Sequence, residues 1–152
     1  MPVKGHHQER STEPEAPLAR ARHLLGAGAS ISEARHHAAA FLDRARADNG
    51  LDVSDRASDI VQLVVSELVT NAYKYAPGPV RLELRLTAHA VDIVVRDGDP
   101  TVPAARTADP RRVGQHGLEI VSAVSEALEV AVEPHGKSIT ARIALSDAPT
   151  RA

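Results

Sequence analysis

The stretch "DIVQLVVSELVTNAYKYAPGPVRLELRL", Asp59 to Leu86, contains a change of hydrophobic period. Up to Tyr75 the apolar residues recur at three- and four-residue spacing, and from Val80 they alternate. The first pattern predicts a helix with one buried side, the second a strand with one buried face. Pro77-Gly78-Pro79 stands between them and breaks the chain. A helix leading directly into a half-buried strand points to an α+β domain.

On a wheel of 3.6 residues per turn, Val61, Val64, Val65, Leu68, Val69 and Ala72 share one broad side. Two polar residues interrupt it. Asn71 projects between Ile60 and Val64, inside the apolar arc, and Glu67 lies at its border beside Leu63. Residues four apart are neighbours on a helix face, so the carboxylate and the amide sit together. A buried amide without a partner costs ~1–3 kcal/mol, and a buried carboxylate costs more. Such a pair calls for a cation, a metal ion, pocket water or backbone donors; alternatively, it caps an internal irregularity of the backbone.

The remaining elements follow in both directions. Residues 1–17 are polar, Pro- and Glu-rich and aperiodic, which predicts a disordered tail, and 146–152 read the same way. One domain is expected over 18–145. A short strand is predicted within 21–29. A helix follows over 30–48, capped by Ser30 or Ser32 and ended at Asn49-Gly50. The second helix begins near Ser54 or Asp55. Strands are predicted at 80–86, 91–97, 128–132 and 138–145, with a helix at 117–127. The fold class is therefore α+β, a two-layer sandwich of a mostly antiparallel sheet with helices on one face.

Strict alternation along Val91, Ile93 and Val95 carries Asp97 to the buried face at a strand end. It either opens a turn with Gly98 or accepts a hydrogen bond from an exocyclic amine such as adenine's. Residues 98–117 form a long aperiodic segment rich in Pro, Ala and Arg, a length usually associated with function or mobility. Gly114 and Gly117 precede a helix, so backbone N–H groups can approach an anion there. Arg106, Arg111 and Arg112 supply nearby positive charge, or are simply solvated. His36 and His37 are adjacent on a helix and diverge, and no histidine pair has metal-ligand spacing.

Composition excludes several classes. With no cysteine, disulfides, thiolate zinc sites and thiol nucleophiles are ruled out. Aromatics at 2% and a net charge of -2 argue against a stacking platform or basic footprint for nucleic acid. No apolar run approaches the roughly 20 residues of a membrane span, and residues 1–17 have no apolar core of a signal peptide. A cytoplasmic location is the expectation.

Taken together, "VVSELVTNAYKYAPGPVRLELRL", "VDIVVRDGDPTVP" and "GQHGLEIV" resemble the ATP-binding domain of the GHKL superfamily over residues 18–145. They are most similar to small stand-alone actinobacterial members of the anti-sigma-factor serine kinase type. The resemblance implies the Bergerat ATP-binding fold, with ATP and Mg²⁺ as cofactors. By position, it implies Glu67 as general base, Asn71 as the Mg²⁺ ligand and Asp97 as the adenine-recognising acid. It places Gly114, Gly117 and Leu118 around the triphosphate, residues 99–116 as the lid, and Ser138 on the adenine side. Lys137 beside it is either a phosphate ligand or simply exposed, and exposure is the expectation. A sigma factor and an anti-sigma-factor antagonist are the implied partners, with a possible homodimer and no direct contact with nucleic acid or membrane. The alternative is a non-catalytic, protein-binding regulator with weak or no nucleotide binding. The sequence departs from the family in "DGDPT", where Asp99 and Thr101 replace glycines, and in the "GQHG" spacing.

Overall fold

The computed structural model describes residues 16–26, 31–75, 78–98 and 115–146. Their order is β1 (Ala19–Leu25), α1 (Ile31–Asn49), α2 (Asp55–Tyr75), β2 (Val80–Leu86), β3 (Ala90–Asp97), α3 (Gln115–Val124), β4 (Ala127–Glu133) and β5 (Gly136–Ala144). The strands form one sheet in the order β1-β2-β3-β5-β4, and every neighbouring pair is antiparallel. The expected α+β sandwich is what the chain adopts, with a sheet that is wholly antiparallel among the described residues.

Local chemistry sets the boundaries. Gly50 ends α1 at φ 65°, in the left-handed region that other residues enter at a cost. Arg46 then reaches across the turn and donates from Nε and Nη2 to the Val53 carbonyl, at 3.1 and 2.9 Å. Ser54 caps α2: its Oγ accepts from the Ala57 amide at 2.9 Å, satisfying one of the orphan donors of the first turn. Helix α3 begins two residues before the expected start, so Gly117 lies inside its first turn. The predicted strand at 21–29 lies earlier, at Ala19–Leu25, and residues 27–30 are outside the described set.

The core lies between the helices and one sheet face. Val61, Val64, Val65, Leu68 and Val69 of α2 are fully buried against Leu82 and Leu84 of β2, Ile93 and Val95 of β3, and Ile139, Ala141 and Ile143 of β5. With few aromatics available, this packing relies on branched aliphatic side chains in the pleats. Burying one such side chain stabilises by about 1.5–3 kcal/mol.

The other sheet face is charged, yet not all of it is solvated. Alternation sends Glu83 outward, but it is only 5% exposed. Arginines from three strands fold over it: Arg85 Nε at 3.0 Å, Arg96 Nη1 at 3.2 Å, Arg20 Nε at 3.2 Å and Arg22 Nε at 3.7 Å. Burial on its own would raise the Glu83 pKa. Hydrogen bonds from Arg85 and Arg96, with the charges of Arg85 and Arg22, outweigh it and hold the carboxyl below its ordinary value. A second contact between distant elements stacks His23 of β1 on His37 of α1, ring centroids 3.7 Å apart. Desolvation, then the charges of His37 and Arg44, push the His23 pKa down.

Two measurements check these features. Gly136 adopts φ 154°, and a Cβ there would run into the Asp97 carbonyl oxygen and Gly98. A Cβ on Gly50 would meet nothing within 4 Å. Urea denaturation should therefore show Gly50→Ala costing about 1 kcal/mol from backbone strain alone, and Gly136→Ala costing at least about twice that. Glu83 has a depressed folded-state pKa, so its stabilisation is present above the unfolded value of 4.5 and lost as pH falls through the folded value. Stability of Glu83→Gln, followed against pH, should fall less steeply on the acid side than that of the unmodified chain.

Candidate functional site

Helix α2 lies on β2, β3 and β5 and is flanked by α1 and α3, which fixes where its two polar intruders point. Asn71 is 7% exposed, and its Nδ2 is buried with no hydrogen-bond partner among the described residues. The two ends of an amide are interchangeable by a flip, so what matters is a buried amide with unused hydrogen-bonding capacity. One turn earlier, Glu67 is half-buried. The Ser66 Oγ is also buried without a partner among the described residues.

Gly117 closes this corner. A Cβ at that position would lie 2.6 Å from Glu67 Oε1, so the end of the glutamate side chain would have to turn aside. With glycine at this position the first turn of α3 lies against the Glu67 carboxylate without displacing it. The arrangement puts a carboxylate against the first turn of a helix, one turn of α2 from an amide whose nitrogen has no partner among the described residues. These donors suit an anion carrying a hard cation, and their chemistry fits a nucleotide phosphate with Mg²⁺. Among the described residues no group of three or more His, Cys, Asp or Glu side chains gathers to hold a metal alone.

The second part of the site lies at the adjoining ends of β3 and β5. Asp97 faces Lys137 directly across the strand pair. Lys137 is completely buried, contrary to the exposure expected of it. Its Nζ donates to both Asp97 carboxylate oxygens, at 3.1 and 2.9 Å. The physical reason is the pleat: Ile139, Ala141 and Ile143 face the core, and two residues back along the same face is Lys137. Continued backwards, that alternation would have revealed the pair, which reading Lys137 as a solvated lysine concealed.

Other expected residues are distributed as follows. Ser138 sits opposite Arg96, on the sheet face away from the helices, so it does not share a face with Asp97. Leu118 is partly buried and packs on the core. Gly114, Arg106, Arg111, Arg112 and most of the expected lid, residues 99–114, lie outside the described residues, as does the side chain of His116. Of two cavities of about 590 Å³, one lies among arginines of β1–β3 and the other is lined by Asp97, Gly98 and the turn between β4 and β5; neither is lined by Glu67 or Asn71.

With this geometry in hand, comparison with known proteins supplies the family. The profile of the histidine kinase-like ATPase domain matches residues 27–143, and the chain belongs to that family of ATP-binding domains. Among solved structures it is similar to the Acinetobacter baumannii histidine kinase AdeS, at 16% identity and a TM-score of 0.49, covering 86% of this chain and 70% of that one. No curated protein matches it. No helix among the described residues is long and apolar enough to cross a membrane.

The ion pair has a thermodynamic signature. Lys137→Met should destabilise the domain by about 3–5 kcal/mol, because it removes the buried cation that faces the Asp97 carboxylate. Adding Asp97→Asn should restore part of that loss. A double-mutant cycle read by urea denaturation checks the coupling.

Proposed function

We propose that the chain binds ATP with Mg²⁺ and acts as a serine/threonine protein kinase of the anti-sigma-factor type. The observation that carries this reading is the buried Asn71 amide, whose nitrogen has no partner among the described residues, one turn from the Glu67 carboxylate that meets Gly117 of α3. A structural role for Asn71 would have satisfied it internally, since buried polar groups nearly always find partners. A phosphate-bound cation gives its oxygen one.

The family supports a role for each residue. Asn71 would hold the metal through its amide oxygen. When bound, Mg²⁺ supplies neutralisation of phosphate charge, which phosphoryl transfer needs more than covalent help. Glu67, partly exposed and one turn away, takes the proton of the attacking hydroxyl. Gly117 lets the first-turn N–H groups of α3 approach the phosphates, with Gly114 and Leu118 flanking them. Asp97 stands at the base end of the site. In this reading the chain binds a sigma factor and phosphorylates its antagonist, as a homodimer, so nucleotide state decides which partner is held.

One observation favours a second reading. The Asp97 carboxylate, the family's contact to adenine, is already engaged by Lys137. A regulator that keeps the fold as a protein-binding surface, with weak or no nucleotide binding, would tolerate that pairing.

Thermal unfolding with millimolar ATP, with and without Mg²⁺, separates the two. Ligand at 100 times its Kd adds about 2.7 kcal/mol to the folded state. The kinase reading expects an Mg²⁺-dependent rise in midpoint, and no rise at all would leave the regulator reading standing. Glu67→Ala should keep nucleotide affinity within about threefold while lowering transfer to the antagonist by about 10²–10⁴. Asn71→Ala should remove the Mg²⁺ dependence of binding. Full-rate transfer by Glu67→Ala would sink the general-base assignment.

A further inference from the structure

Lys137 changes what Asp97 can select. A buried carboxylate that depends on a ligand for its hydrogen bond rejects any base that fails to supply one, because the charge would be left unpaired. In that situation a 6-amino group on the purine becomes a requirement. Here the requirement is already met from within the protein. Both Asp97 oxygens accept from Lys137 Nζ, at 3.1 and 2.9 Å, and the two side chains are 2% and 0% exposed.

The pair is anchored on both sides. Asp97 and Lys137 are cross-strand partners in a continuous antiparallel ladder, so their backbones are held in register by the pairs Val95–Ile139 and Ile93–Ala141 behind them. The turn beyond is equally constrained, since Gly136 packs on the Asp97 carbonyl with no room for a side chain. With its backbone in register and its side chain completely buried, Lys137 has little room to turn away from Asp97. A base without the amino group leaves the carboxylate still satisfied, and a base with it gains only a shared acceptor.

From this we infer that Lys137 is a specificity-determining residue that relaxes base selection: the site takes purine nucleoside triphosphates with or without a 6-amino group at similar affinity. The inference rests on the nucleotide-binding reading above. It concerns which base is accepted, and the phosphate end of the site is unaffected by it.

Calorimetric titration of the full chain with ATP, inosine triphosphate and GTP, each with Mg²⁺, tests it. The expected dissociation constants agree within about threefold, and a tenfold or greater preference for ATP over inosine triphosphate overturns the inference. Lys137→Thr removes the ammonium from the carboxylate while keeping a hydroxyl, and its ATP-to-inosine preference should rise at least tenfold. An unchanged ratio in that variant would show that Lys137 is not the determinant. Should Lys137→Thr not fold, the three titrations of the unmodified chain decide the matter alone. Heat with none of the three nucleotides at millimolar concentration would overturn the nucleotide reading itself, and the inference with it. That outcome differs from binding with strong adenine preference, which removes the inference only.

Discussion

Helix α2 has an apolar face too broad for one neighbour to cover, and meeting that demand organises the domain. Val61, Val64, Val65, Leu68, Val69 and Ala72 need α1, α3 and three strands to exclude water from them. The sheet is in turn amphipathic because only one of its faces receives α2. Placing Glu67 and Asn71 in or beside that face is costly, and the fold offsets little of the cost from within. Asn71 keeps an unpartnered amide in a layer where almost everything else is satisfied. Of all the residues in the domain, it departs most clearly from the needs of packing alone.

How much of this could be read from the sequence depended on the range of the interaction. The change of period between Tyr75 and Val80 marked the end of α2 and the start of β2, because both are local patterns bounded by a local breaker. The cap at Ser54 and the stop at Gly50 were legible for the same reason. Glu83 was not. Alternation assigned it to the outer face, but its burial depends on arginines brought from β1 and β3 by strand register. The His23–His37 stack joins elements whose adjacency no periodicity announces.

The site divides along the same line. Glu67 and Asn71 were visible as a pair because they share one helix. Gly117 was visible as a flexible position, but its reason became clear only when α3 was seen against the Glu67 carboxylate. Ser138 and Lys137 show the limit: neighbouring residues on a strand face opposite sides, so an offset of one exchanges a core partner for a surface one. The residue beside Asp97 is the lysine, and it alters the electrostatics expected of the family's base contact.

The sheet also has an order in which it can be assembled. Strands β2 and β3 are joined by a tight turn in which the Thr87 amide bonds to the Ala90 carbonyl at 2.9 Å, so their pairing closes only a short loop. Strand β1 pairs with β2 across the whole length of α1 and α2, an entropically costly closure that is repaid only after the helices have docked. Two of the four arginines around Glu83 arrive with the hairpin and two with β1. When β1 peels away, Arg85 and Arg96 still cover the carboxylate. The N-terminal strand can thus open without leaving that carboxylate uncovered.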